Sequence, residues 1–291
     1  MRKLLLVLAA AVLGATPSPG PLHAQEPAAA PAQAPAPAPA AAATPAPAAT
    51  PETASGAKIW IGRYQEFEEF LKTAAIAKIG DIPVGVTAPK HAFFAPGGLA
   101  GGAALKHLPS GIRSGFWESY KSEIAAYKVD RILGLNMVPP TVERRVGADL
   151  ASMQLWVENC KLLKDVDQKA SPDKDAWAKQ VWRQRTFDNL IANIDRNAGN
   201  LLVDDHWNLI LIDHSRAFAQ NTMPFLKEMT RIDRAFYEKL KALDEATLMR
   251  ELKPWVLTAG NVRDLLKRRD KIVARFDELA RETSPTQVFP F

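Results

Sequence analysis

One cysteine, Cys160, leaves no partner for an intrachain disulfide in 291 residues. The stability of the folded part must therefore come from a packed core. Histidine is also scarce, with five in the chain, and His206, between acidic neighbours and an aromatic, reads as a solvent-facing turn residue rather than a metal ligand. No dense Lys/Arg run interleaves with aromatic residues, and the formal charge is only +5. That argues against a nucleic-acid-binding surface. The basic triplet at 267–269 sits in a charged helical pattern and reads as a solvated face. No internal repeat is visible.

Long apolar runs are missing as well. Residues 4–14 are apolar behind Arg2 and Lys3, but such a run falls short of the roughly 20 residues that a membrane helix needs. With a small residue before Gln25, residues 1–24 read as a secretory signal peptide. No stable membrane span is expected after its cleavage, and no cysteine near the cut suggests a lipid anchor. Residues 25–57 are almost all Ala and Pro. With nothing to bury and a bias to extended backbone, they read as a disordered, semi-stiff linker.

The remainder is long enough for one large domain or two lobes. Residues 59–78 have apolar residues at helical spacing, including Phe67, Phe70, Leu71 and Ala74. Residues 82–95 and 103–108 look extended, with the Pro/Gly-rich 96–102 as a turn between them. A helix is expected over 115–133, closed by Gly134, because Pro139 and Pro140 cannot continue it. A second strand pair follows at 141–146 and 152–157. From Asp175 the pattern is helical, interrupted by short strands at 201–203 and 209–212, and the aromatics Phe225, Phe236, Tyr237 and Trp255 fit a helical core. Strands gathered in one half and helices in the other predict an α+β chain with two lobes, 58–158 and 159–291.

The chemistry is concentrated in 193–218. Asp195 is followed five positions later by Asn200, and Asp213 ends the apolar run that begins at Leu209. Phosphoryl transfer needs these residue types: one carboxylate to orient the acceptor and take its proton, and an Asn with a second carboxylate to hold magnesium. Magnesium keeps several waters, so two protein oxygens suffice. Asn200 enters the first strand of the hairpin and Asp213 leaves the second, which puts both at one open end. Asp204 and Asp205 are read as turn residues.

"IDRNAGNLLV" and "LILIDHSRAF" resemble the catalytic and metal-binding loops of atypical, protein-kinase-like enzymes. These include phosphoinositide kinases, HipA-type bacterial kinases and secreted Golgi casein kinases. The resemblance extends upstream through "AALKHL" and "SEIAAYKVDRILGLNMVPPTV", covering roughly residues 82–218. It implies a two-lobed kinase-like fold, with a strand-rich N-lobe carrying one helix and a helical C-lobe. It also implies ATP and Mg²⁺ as cofactors, with Mn²⁺ as the alternative ion.

Carried over by position, Lys106 becomes the strand lysine that contacts nucleotide phosphates, and its partner a Glu on the following helix. At about 100° per residue, Glu123 falls within the arc of Tyr120, Ile124 and Tyr127, whereas Glu118 falls on the far side; Glu123 is therefore expected to meet Lys106. The resemblance places a strand between the phosphate loop and the lysine strand. That excludes the glycine tract before Lys106 and favours the turn from Thr87 to Lys90, with Lys90 as a point charge for phosphate. This departs from the GxGxxG loop of ordinary protein kinases. Gln154, Trp156 and Val157 lie where resembled folds read the adenine through the backbone; Trp156 fits either core or cofactor wall. Arg196 is expected to brace its loop, and the role of His214 stays open.

The expected function is an exported, periplasmic or secreted kinase acting on a protein, lipid or carbohydrate hydroxyl. Asp195 is its base, Asn200 and Asp213 its metal ligands, and Lys106 with Glu123 its phosphate clamp. ATP is scarce outside the cytoplasm, which keeps open a catalytically silent, nucleotide-binding pseudokinase. A carboxylate-based metal hydrolase would leave Lys106 and Glu123 idle.

Overall fold

A computed structural model describes residues 55–82, 89–220, 222–255 and 258–291. The expected signal peptide, residues 1–24, and nearly all of the expected linker, residues 25–57, lie outside them. Among the described residues no helix is long and apolar enough to cross a membrane.

The first helix, α1 (Tyr64–Thr73), is shorter than the periodicity predicts. Ala74 turns extended, and the chain enters β1 (Ile76–Asp81), which pairs antiparallel with β2 (Lys90–Phe94). Strand pairing thus claims the end of the apolar pattern. β3 (Gly102–Lys106) follows, then a hairpin of β4 (Gly111–Arg113) and β5 (Phe116–Glu118). Next come α2 (Tyr120–Leu133), β6 (Thr141–Val146) and β7 (Asp149–Leu155). Five strands form one antiparallel sheet in the order β1-β2-β3-β7-β6.

Alternation along the strands gives this sheet two different faces. Ala103 and Leu105 point to the side where Phe67 and Leu71 of α1 are fully buried with Met153 and Val142. Burying two such side chains stabilises by about 3–6 kcal/mol in total. Ala104 and Lys106 point the other way, opposite Gln154 and Ser152 of β7. Lys106 therefore faces away from the α1 core and towards α2.

The expected helix start at 115 is corrected by a hairpin. Ser114 and Gly115 both have positive φ, 49° and 82°, the requirement of a two-residue type I′ turn, so 116–118 pair with 111–113. Helix α2 starts after Ser119, whose hydroxyl accepts from Lys121 N–H at 3.1 Å. It ends on Gly134 in the left-handed conformation, φ 62°.

β8 (Cys160–Leu162) pairs with β9 (Leu201–Asp204), which pairs with β10 (Leu209–Leu211). The expected two-stranded hairpin is therefore a three-stranded sheet. The remaining elements are helical: α3 (Lys174–Leu190), α4 (Arg234–Ala242), α5 (Glu245–Leu252), α6 (Ala259–Glu282) and α7 (Pro285–Val288). Their core includes Phe187, Phe236, Leu240, Val262, Leu265 and Phe276, all essentially inaccessible. Two expectations fail here. Phe225 is exposed, on the loop before α4. Arg268 is buried and donates from Nε to Leu190 O at 2.7 Å, capping the C-terminus of α3, so the basic triplet is not one solvated face.

Candidate active site

Three charged groups meet where β3, α2 and the end of β10 converge. Lys106 Nζ pairs with Glu123 Oε1 and lies 2.8 Å from Asp213 Oδ1. Glu123 is almost wholly buried, and its other oxygen accepts the backbone N–H of His214 at 2.8 Å. Burial works against the charge on both partners. For Lys106 the carboxylates of Glu123 and Asp213 outweigh it and hold the ammonium well above the usual lysine value. For Glu123, burial is opposed by Lys106 and by His214, and the carboxyl sits below the usual range. The site is thus an ionised pair rather than a neutral one.

Glu118 takes a different partner. It lies on β5, not on a helix, and is buried against Arg216, whose Nε donates at 2.7 Å. Glu118 thus has no place on the α2 helix at all, whereas the arc of Tyr120, Ile124 and Tyr127 does contain Glu123.

Asp195 and Asn200 sit on the loop between α3 and β9. Asn200 Nδ2 donates to Asp195 O at 3.1 Å, and Ile212 N–H donates to Asn200 O at 3.2 Å. Asn200 and Asp213 therefore stand at the same end of the β9–β10 ladder. Asp213 has φ 56°, an uncommon backbone state for a residue with a Cβ and one associated with functional sites. Its Oδ1 also accepts from Ser215 Oγ at 3.0 Å. Asn200 Oδ1 and Asp213 Oδ2 have no hydrogen-bond partner among the described residues. Two oxygens of this kind, with water completing the shell, suit a magnesium-like ion better than a zinc-like one. Among the described residues no group of three His, Cys, Asp or Glu side chains forms a metal cluster.

Arg196 braces these loops. It forms a two-pronged pair with Asp188, at 2.8 and 3.0 Å, and donates to the carbonyls of Asn200 and Ile212 at 2.6 and 2.8 Å. It also lies 2.8 Å from His214 Nε2. An arginine can only donate, so Nε2 must carry the lone pair and the proton of this neutral ring sits on Nδ1. That nitrogen faces Glu123 Oε2 at 3.7 Å, beyond hydrogen-bond range. Burial pushes the His214 pKa below the ordinary histidine value. His214 thereby joins the Lys106–Glu123 pair to the Asp195 loop, a link that the apolar context of 209–212 does not reveal.

Thr87 lies outside the described residues. Lys90 opens β2 opposite Leu105, at the Lys106 end of the sheet, and pairs with Asp81 in a solvent-exposed contact. Gln154 is buried and donates to Thr141 Oγ1 at 2.9 Å. Trp156 stacks on His91 with centroids 3.9 Å apart, and its backbone N–H donates to Gly102 O at 3.1 Å. Val157 makes no backbone hydrogen bond among the described residues. Trp156 and Val157 border a cavity of about 580 Å³, with Gly98, Ala100, Glu158 and His206 also in its wall. It lies at the Gly102 end of β3, about 13 Å of strand from Lys106. His206 is exposed as expected, but Asp204 is more than a turn residue. It is buried, and its carboxylate accepts the N–H groups of Ala57, His206 and Asn208 at 2.7–2.9 Å.

No family model matches the sequence. The phosphatidylinositol 4-kinase gamma 4 of Oryza sativa subsp. japonica is 34% identical over 138 residues, 41% of this chain and 23% of that protein. The chain thus spans less than a quarter of that relative's length. Among solved structures, the Golgi casein kinase with Mn/ADP bound superposes with a TM-score of 0.60 at 15% identity, over 78% of each chain. The hydra Fam20 structure with sugar gives 0.60 at 13% identity, over 78% of this chain and 91% of that one. The Helicobacter pylori proinflammatory kinase CtkA gives 0.51 at 12%, over 72% and 98%. At these identities the likeness is one of fold. The chain has an α+β, protein-kinase-like fold, with an antiparallel N-terminal sheet, its helix and a helical C-terminal region.

Proposed function

We propose that the chain is an exported, kinase-like phosphotransferase that moves the γ-phosphate of ATP to a hydroxyl acceptor with the help of Mg²⁺ or Mn²⁺. The observation that carries this reading is Lys106 joined to both Glu123 and Asp213, beside the loop that bears Asp195 and Asn200. A metal hydrolase has no use for a buried lysine–glutamate pair. A phosphate clamp does, because the ionised lysine must be held out of water in one orientation until an anionic ligand arrives.

In this reading Lys106 contacts the nucleotide phosphates and Glu123 holds it. Asn200 Oδ1 and the Asp213 carboxylate hold the divalent ion, whose charge offsets that of the phosphates when bound. Asp195 orients the acceptor hydroxyl and takes its proton. Lys90, at the Lys106 end of the sheet, meets the phosphates as a point charge, and Thr87 is assigned to the phosphates with it from the sequence alone. The adenine is met by backbone at the end of 154–157. Gln154 and Trp156 act there as support, with Val157 offering its backbone. The two lobes are residues 58–158 and 159–291.

Support for nucleotide and metal comes from the fold's likeness to a kinase carrying Mn/ADP. Both that Golgi enzyme and the phosphatidylinositol 4-kinase relative are kinases by name, which leaves protein, lipid and carbohydrate acceptors open, with protein favoured. Export rests on residues 1–24 read as a signal peptide.

The test is ATP binding to the purified chain with and without Mg²⁺, followed by labelling of protein, lipid and carbohydrate acceptors from γ-labelled ATP. Metal-dependent binding with transfer to one class supports the kinase and names the acceptor. Binding without transfer to any acceptor or to water would make the chain a pseudokinase acting as a binding module. Absence of nucleotide binding, beside metal-dependent hydrolysis of another substrate, would overturn the reading.

A further inference from the structure

The carboxylate of Asp195 has one side-chain partner among the described residues, Arg216, whose Nη1 lies 3.2 Å from Oδ2. Arg216 is itself held firmly. Its Nε and Nη2 both lie 2.7 Å from Glu118 Oε1, and its guanidinium lies 4.6 Å from the centroid of the Phe116 ring. Glu118 and Phe116 occupy the same face of the β4–β5 hairpin, as the i, i+2 spacing requires. A backbone bond from Ser119 N–H to Ser215 O, 3.0 Å, fastens the hairpin's exit to the residue before Arg216. One short segment therefore carries both Asp213, the candidate metal ligand, and the arm that grips Asp195.

Asp195 needs such an arm. Its side chain is 43% exposed, against 15% for Arg216 and 3% for Glu118. A half-exposed carboxylate samples several rotamers unless something fixes it. Arg216 cannot accept or release a proton at working pH, so acid–base chemistry is not its role. Its contact with Oδ2 leaves Oδ1 without a side-chain partner among the described residues and available to an acceptor hydroxyl.

We propose that Arg216 is the positioning residue of the acceptor side: anchored by Glu118 and Phe116, it fixes the Asp195 carboxylate towards the incoming hydroxyl. This rests on the kinase reading. In the step concerned, the acceptor O–H gives its proton to Asp195 and its oxygen forms the new bond to the γ-phosphorus. The bond from that phosphorus to the β,γ-bridging oxygen breaks, and the electron pair leaves with ADP. Arg216 is never consumed; it sets where the receiving oxygen stands.

The experiment measures steady-state MgATP hydrolysis by the full chain, with water as acceptor, beside nucleotide affinity and unfolding midpoint. Misplacing a reacting group by about 1 Å costs on the order of 100-fold in rate. Arg216→Ala should therefore lower kcat by about 10- to 100-fold while KM for ATP stays within about twofold. Arg216→Lys should recover part of the loss, because an ammonium reaches one carboxylate but lacks the fork that spans two. Glu118→Gln should give a smaller loss, and the double variant Arg216→Ala/Glu118→Gln should be no worse than Arg216→Ala alone. Unchanged kcat in Arg216→Ala, with an active wild type, overturns this proposal alone. So does a loss of kcat that merely tracks falling nucleotide affinity and unfolding midpoint. A wild type that neither binds nor hydrolyses MgATP overturns the kinase reading, and this proposal with it.

Discussion

Replacing Glu123 by Gln keeps the shape of the side chain and removes its charge. Lys106 would then keep Asp213, at 2.8 Å, as its remaining anionic partner, and the His214 N–H would still meet an amide oxygen. Deleting one member of a buried pair costs about 3–5 kcal/mol when the other is left uncompensated. Here compensation is partial, so the loss should approach that of a charged hydrogen bond, about 1.5–3 kcal/mol. For a folded unit of 150–250 residues that is a fall in Tm of about 3–12 °C. The assay is thermal and urea unfolding of the wild type, Glu123→Gln, Lys106→Met and the double variant. Because the two groups touch, the cycle should give a coupling of at least about 1 kcal/mol. A Glu123→Gln midpoint within 1 °C of wild type (about the error of such a melt), or a coupling near zero, would refute the pairing as a source of stability.

Asp130 is fully buried, and burial raises its carboxyl to about 7, against the opposing pull of the Met137 N–H, Lys58 and Arg131. A raised folded pKa means that the native state holds a proton the unfolded chain has lost, so stability falls as pH rises from about 4 through 7. Asp130→Asn should flatten that fall, as read by urea midpoints between pH 5 and 8; an unchanged slope would count against it. Arg268→Met removes the buried cap on Leu190 O and should cost about 1–3 kcal/mol, with faster amide exchange at the end of α3. Gly134→Ala forces a Cβ onto a φ of 62° and towards Lys239 Nζ, which should cost about 1 kcal/mol in a melting experiment.

Much of the placement of the candidate site was legible because its elements are set by strong local patterns. The resemblance singles out Lys106 and calls for a Glu on the next helix. The strand under Lys106, the apolar arc that holds Glu123, and the hairpin with Asn200 and Asp213 at its ends follow from periodicities of 2 and 3.6 residues. What escaped was set by tertiary pairing. Ser114–Gly115 is a hairpin turn whose strands are three residues each, too short for an alternation signal to set them apart from the following helix. β8 shows itself only by pairing with β9. Arg268 looks like a surface charge in any helical pattern, and only the position of α6 against the end of α3 turns it inward. Arg216 and His214 belong to the same class. Their partners lie 98 and 91 residues away in sequence, and no local spacing encodes them.

Phosphoryl transfer is decided by the release or transfer of labelled γ-phosphate from MgATP by the purified chain, measured beside Asp195→Ala and Asp213→Ala. The wild type should turn over, and only with the divalent ion present. Asp195→Ala should lose it while still binding nucleotide, and Asp213→Ala should lose the metal dependence and the turnover together. Equal turnover in all three proteins would rule out Asp195 and Asp213 as the groups that carry phosphoryl transfer.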